Sequence, residues 1–250
     1  MLKKILLIIT AVIILLIILE VVALLHEKAS VDSFATYWTQ KNKTASGTFT
    51  YVALGDSTAQ GIGAGKPTDS YVGLLAERVA KQTGKKVRFI NLSVTGAKIS
   101  DVLNKQLAEM AQYKPDLVTI EIGANDLANY NPSQFSAEFK QLARLLPKGS
   151  YVSDMPYFGG RIRKNDQALA ASVFIRKEVQ ANNLHLVSLQ QLTRQRQSIR
   201  NYAVDLFHPS STGYVNWADA YWVGIQPALA APTSSAPVNN SSDSSSTTAS

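Results

Sequence analysis

The stretch that most restricts the fold is Tyr51-Val52-Ala53-Leu54-Gly55-Asp56-Ser57-Thr58-Ala59-Gln60-Gly61. A short apolar run ends in Gly-Asp-Ser, and a loop rich in glycine follows. Apolar residues bounded by small turn residues read as a buried strand entering a tight turn. Strands are expected over residues 49–54, 87–92, 117–122, 151–154 and 184–189. Between them lie apolar stripes at helical spacing. Tyr71, Leu74, Leu75 and Val79 form one, with Arg78 its polar member. Val102, Leu103, Leu107, Met110 and Ala111 form a second, and Phe135, Phe139, Leu142 and Leu146 a third. Strands alternating with helices of this length imply a parallel sheet covered on both faces. Right-handed crossovers turn that into a three-layer α/β/α sandwich.

The turn after the first strand leaves the Ser57 hydroxyl at the sheet edge where open α/β folds bind ligands. A serine there is reactive only if a base takes its proton and donors receive the oxyanion. Alone, Ser57 reads as a turn serine or a helix N-cap. Three later blocks change that reading: Asn91-Leu92-Ser93-Val94-Thr95-Gly96-Ala97, Gly123-Ala124-Asn125-Asp126 and Asp205-Leu206-Phe207-His208-Pro209. The Asp-x-x-His spacing lets Asp205 and His208 emerge from one loop. Asp56 and Asp126 are read as braces for their turns.

These four blocks, in this order over about residues 49–222, resemble the SGNH (GDSL-type) hydrolase family of esterases, lipases and related acyl hydrolases. The resemblance implies a flavodoxin-like sheet of five parallel strands. It implies Ser57 as nucleophile, His208 as general base and Asp205 as the residue that orients the histidine. Ser57 N–H, Gly96 N–H and the Asn125 amide are the implied oxyanion donors. No metal and no organic cofactor is implied. The family often carries leucine after the serine, where this chain has Thr58.

Rival motifs fail on the residues. No Gly-x-Ser-x-Gly elbow surrounds Ser57, which removes the α/β-hydrolase reading. Gly61-Ile62-Gly63-Ala64-Gly65-Lys66 fits neither a dinucleotide fingerprint nor a P-loop, because Lys66, Gln60 and Pro67 occupy positions that need other residues. Those glycines are expected to form a flexible lip beside the nucleophile. Arg161, Arg163 and Lys164 follow the fourth strand and read as a solvated loop, or as a steering patch for an anionic substrate. His26 and His185 have no aspartate at useful spacing.

Residues 5–25 are apolar except Thr10 and Glu20. At ~1.5 Å per residue they span ~31 Å, about one bilayer core. Lys3 and Lys4 precede the run, which orients the amino terminus inward and the remainder outward. The polar residues His26-Glu27-Lys28 stand where a cleavable signal would have small residues, so the run reads as an uncleaved anchor. The domain organisation expected is an anchor at residues 1–25, a connector at 26–47, a hydrolase domain at 48–231 and a tail at 232–250. In the connector, Phe34, Tyr37 and Trp38 share one helical face, either at the membrane surface or packed on the domain. The tail holds eight serines and no aromatic residue, and is expected to be disordered.

The chain has no cysteine, so disulfides and thiolate metal sites are excluded. Its net charge of +7 reads as a basic surface, with no motif that points to nucleic acid. The function expected is a membrane-anchored serine esterase acting on a lipid, a small acyl ester or an acylated glycan. An acyltransferase working on cell-surface glycans is the alternative, and a non-catalytic domain of the same fold a more distant one.

Overall fold

The computed structural model describes residues 2–159 and 164–230. The expected tail at 232–250 and the residues Arg161 and Arg163 lie outside the described residues. Five strands form one parallel sheet: β1 (Phe49–Gly55), β2 (Val87–Asn91), β3 (Leu117–Glu121), β4 (Tyr151–Ser153) and β5 (His185–Val187). Their order is β2-β1-β3-β4-β5. Leaving β1, the chain crosses to β2 on one side, then returns to β3 on the other. The carboxyl ends of β1 and β3 therefore flank a crevice, the place where such folds bind ligands.

Successive side chains of a strand face opposite ways, and both faces here are apolar. Val52 and Leu54 enter one core with Ile90, Val118, Ile120 and Val152. That core is closed by α6 (Pro132–Leu145) and α7 (Asn165–Ala181), through Phe135, Phe139, Leu142, Ala171 and Ile175. Tyr51 and Ala53 enter the other with Phe89, Leu117 and Val187. There α3 (Tyr71–Thr83) and α9 (Ser211–Ala230) cover the sheet with Tyr71, Leu75, Val79, Tyr214, Trp217 and Tyr221. This is the three-layer α/β/α sandwich expected from the alternation. Arg78, the polar member of its stripe, pairs with Asp219 of α9 at 2.8 Å.

The second stripe is interrupted. The α-helical turn Ile99–Asp101 passes through a π-helical stretch, Val102–Gln106, into Leu107–Met110. The wider turn shifts the helical phase, so Ala111 is exposed and Gln106 is buried instead.

The amino-terminal region is one continuous helix, α1 (Leu2–Thr44), with no separate connector element between His26 and Thr44. Ile5 to Leu25 is apolar and exposed. From Ser30 onward the helix packs on the domain through Ser30, Phe34 and Trp38, which are buried. Trp38 donates from Nε1 to Gln60 O at 2.9 Å, and its ring meets Phe89 edge-on at 5.3 Å. Asn42 accepts from Asn91 N at 3.0 Å and donates to Asn91 O at 2.8 Å. It thereby occupies backbone groups of β2, an edge strand that would otherwise offer them to another chain.

Because Trp38 fills the space between α1, the helical turn Ser57–Gln60 and the sheet, Trp38→Ala is expected to cost ~3–5 kcal/mol of stability. Denaturant unfolding of the full chain in detergent, followed by the remaining tryptophans, measures this. A change under ~1 kcal/mol would mean that the helix is not seated on the domain.

Candidate active site

The turn after β1 is tightly built. Gly55 has φ +142, and a Cβ there would stand 2.4 Å from Glu121 O. Only glycine lets β1 approach β3 so closely at this point. Gln106 clamps the same residue, accepting from Gly55 N and donating to Gly55 O, both at 2.9 Å. Asp56 then caps the short helix α2 (Ser57–Gln60), accepting from Thr58 N at 2.9 Å. Ser57 is the first residue of that helix and is 4 % exposed.

His208 arrives from the loop before α9. Asp205 Oδ1 accepts from Phe207 N at 2.9 Å and from His208 N at 3.0 Å. Leu206 between them takes φ +59, a left-handed conformation that costs a non-glycine residue energy and is held by this wrap. The result is Asp205 Oδ2 at 2.6 Å from His208 Nδ1, and His208 Nε2 at 2.8 Å from Ser57 Oγ. Gly63 has φ +91, and a Cβ on it would lie 2.5 Å from Pro209 O and 2.9 Å from His208 Cβ. Of the glycines expected as a flexible lip, Gly63 is instead packed against the histidine loop, and Gly61 against Pro67 and Ser70.

The charges follow from this geometry. Burial alone would raise the Asp205 pKa, but the His208 hydrogen bond and charge and the Phe207 and His208 backbone N–H groups together outweigh it and hold the carboxyl down at about 2. Burial disfavours the His208 cation, yet the Asp205 hydrogen bond, then Glu27, raise the imidazole to about 9.

Gly96 lies beside Ser57's turn with φ +80, and a Cβ there would meet nothing within 4 Å. Glycine is required by the backbone conformation, not by crowding from the protein, and the space in front of it is open. Asn125 also reaches the site. Its Nδ2 donates to Ala97 O at 2.9 Å and to Asp56 Oδ2 at 3.2 Å, so both amide hydrogens are engaged. Asp126 braces its loop as expected, accepting from Ile99 N at 3.3 Å, and burial lifts its pKa to about 6. Lys164 donates to Leu127 O, tying the loops after β3 and β4 together.

Three contributors went unread in the sequence. Glu121 is fully buried at the end of β3, and its pKa is raised well above the carboxylate range by burial and then by Asp56. Thr58 Oγ1 lies 2.6 Å from Glu121 Oε2 and 3.0 Å from Asp56 Oδ1. One hydroxyl proton serves one acceptor, so a protonated Glu121 completes the chain with Thr58 bridging. Thr58 is thus the polar link between two buried acids. A single acid inside the apolar run Leu117-Val118-Thr119-Ile120-Glu121-Ile122 was the available signal. Gln106 carried none, because its burial depends on the π-helical turn. Glu27 carried none either. It stands on α1 with Oε1 at 3.4 Å from His208 Nδ1.

Glu27, Asp205 and His208 present ligand atoms within 4.8 Å of one another. A cation on His208 Nδ1 would replace the proton that the Asp205 hydrogen bond holds there. Behind α2 lies a cavity of about 30 Å³ bordered by Thr58, Glu121, Phe207 and Trp217, roomy enough for a water-sized group.

The sequence profile of the GDSL-like Lipase/Acylhydrolase family matches residues 53–215. The chain belongs to this family. A lipase of Streptomyces rimosus is 36 % identical over 115 residues, covering 41 % of this chain and 41 % of that protein. Esterase TesA of Pseudomonas aeruginosa is 32 % identical over 96 residues, covering 38 % of this chain and 47 % of that protein. The chain spans less than half the length of these curated relatives. Among solved structures, TesA superposes with a TM-score of 0.60 at 24 % identity, over 71 % of this chain and 98 % of that one. Axe2, an acetylxylan esterase from Geobacillus stearothermophilus, gives 0.57 at 20 % identity, over 71 % and 94 %. These superpositions establish that the GDSL-like domain shares their fold.

Glu121 supplies a test of the buried acid pair. Its raised pKa means that the native state loses stability as pH climbs above the unfolded value of ~4.3. Glu121→Gln removes that titration while keeping the shape. The stability difference between Glu121→Gln and wild type should therefore grow in favour of the variant from pH 4.5 to pH 8. A difference independent of pH would mean that Glu121 is ionised in the folded protein.

Proposed function

We propose that this GDSL-like hydrolase is a serine esterase anchored by α1 in a membrane, with its catalytic domain outside the cytoplasm. The observation that carries the reading is the Asp205–His208–Ser57 chain, with contacts of 2.6 Å and 2.8 Å. The printed activities of the two sequence relatives, a lipase and an esterase, point the same way.

In this reading Ser57 Oγ attacks the ester carbonyl while His208 Nε2 takes its proton. Asp205 fixes the Nδ1–H tautomer and stabilises the imidazolium. Ser57 N–H and Gly96 N–H receive the oxyanion. Asn125 joins them by releasing the longer of its two bonds, the 3.2 Å contact to Asp56 Oδ2. The carbon–oxygen bond to the alcohol breaks as His208 returns the proton to the leaving oxygen. Water, deprotonated by the same nitrogen, then frees the acid from Ser57. Substrate is a carboxylic ester and no cofactor takes part.

The anchor assignment rests on the exposed apolar segment of α1, whose mean hydropathy reaches 3.4. Lys3 and Lys4 at its start direct the domain outward. Protease added to intact cells should degrade the domain. Protection until the membrane is breached would reverse the orientation, and recovery of a soluble form lacking residues 5–25 would make the segment a cleaved signal.

The chemistry is tested on the full chain in detergent with a short-chain nitrophenyl ester. Ser57→Ala should lose several orders of magnitude in turnover, and His208→Ala nearly as much, because the two act as one unit. Asn125→Ala should lose ~10²–10³. The base must be neutral to accept a proton, and the imidazole titrates at about 9. Hence kcat/KM should rise with pH and level off above that value. Full activity in folded Ser57→Ala would refute the mechanism. Silence toward esters with transfer to a glycan hydroxyl would replace hydrolysis by acyl transfer.

A further inference from the structure

We propose that Glu27 of α1 is a second carboxylate partner of the His208 imidazole, so that the seated anchor helix is part of the catalytic unit. The inference rests on the esterase reading of Ser57 and His208. Both Glu27 carboxylate oxygens are buried, and among the described residues neither accepts a hydrogen bond. A buried carboxylate left without a donor is costly unless a cation neutralises it. The His208 ring, 3.4 Å from Oε1, lies within ion-pairing distance.

The Nδ1–H already belongs to Asp205 Oδ2 at 2.6 Å. At 3.4 Å Glu27 is too far for a strong second hydrogen bond and acts on the ring by its charge. Its attraction is weak while the imidazole is neutral and strong once Ser57 has given up its proton. Glu27 is therefore a positioning residue that favours the imidazolium.

The titratable groups facing the ring come from several elements. They are Asp205 in its own loop, Glu27 from α1, Asp56 from the turn before α2 and Glu121 from β3. Tyr214 of α9 stands behind them with its hydroxyl donating to Ile62 O. Asp205 and Glu27 raise the imidazole's affinity for its proton, against burial.

Glu27 has this position because α1 is docked. Ser30, Phe34 and Trp38 are buried one, two and three turns further along the helix. On the other side of Glu27, Leu19, Val22 and Ala23 face Gly63–Gly65 and Ala203–Val204 across a cleft of about 450 Å³. Glu27 lies ~3 Å along the helix axis from Leu25, the end of the apolar run. Movement of the anchor relative to the domain thus changes the charge beside the catalytic base, and activity depends on how the helix is seated.

The test is the pH profile of kcat/KM for a short-chain nitrophenyl ester, on the full chain in detergent, with the uncatalysed rate subtracted. Glu27→Gln keeps the shape and removes the charge. Its acid limb should move down by about one pH unit, and its plateau should fall several-fold. Glu27→Asp keeps the charge at a longer distance and should show a smaller shift in the same direction. An acid limb of Glu27→Gln that coincides with wild type, while Ser57→Ala is inactive, overturns the inference and leaves the esterase reading intact. An active Ser57→Ala would instead defeat the esterase reading. If Glu27→Gln does not fold, Glu27→Asp decides: an unmoved limb overturns the proposal. So does loss of folding in both, since a role on the base tolerates the shorter acid.

Discussion

The close approach of β1 to β3 at Gly55 is the constraint on which the site depends. Register pairs Gly55 with Glu121, and no side chain fits between them. The same contact fixes where the chain leaves the sheet, and hence where Ser57 stands. Gln106 holds both backbone groups of Gly55 from the neighbouring helical segment. Without that clamp the buried Gly55 N–H would need water or another partner, at ~1–3 kcal/mol, while Gly55 O would keep its bond from Val94 N at 3.2 Å. Ser57 is thus positioned by the pairing of β1 with β3 and by the Gln106 clamp.

Around this point the protein buries more acid than a neutral site needs. Asp56 and Glu121 are both buried within reach of Thr58, and Asp205 and Glu27 flank His208. Two ionised carboxylates at such separation in a low dielectric are unfavourable, so one proton remains on Glu121. The surplus negative charge favours the His208 imidazolium over the neutral ring. In the proposed mechanism that cation forms as Ser57 attacks. The cost is a base that is largely protonated at neutral pH.

The alternation of runs and stripes was enough to predict the sheet, because a parallel strand buried on both faces has few disguises in sequence. Val52 and Leu54 on one face and Tyr51 and Ala53 on the other leave no polar side to misplace. Four of the expected strands overrun the observed ones by a residue or two, because pairing stops first, whereas β1 pairs one residue further, to Gly55. The pairing of Ser57, Asp205 and His208 was readable because local chemistry marks each block: a strand-ending turn and a short acid-to-histidine spacing. What stayed hidden depends on long-range contacts. Gln106 is buried by a π-helical turn that no period of 3.6 announces. Gly63 read as part of a flexible lip because glycine permits motion, whereas here it permits contact with Pro209 and His208. The open question of Phe34, Tyr37 and Trp38 was settled by partners on α2 and β2, namely Gln60 O and Phe89.

The single helix from Leu2 to Thr44 has a mechanical consequence that a flexible connector would not have. A flexible connector over residues 26–47 would decouple the domain from whatever holds residues 5–25. A continuous helix, tied to β2 by Asn42 and to α2 by Trp38, fixes the domain's orientation relative to that segment. Its last apolar residues then stand beside the histidine loop at Ala203 and Val204. The Asp205–His208–Ser57 chain therefore lies next to the end of the apolar segment. The helix and the histidine loop meet at one residue, Glu27, where the helix passes the imidazole.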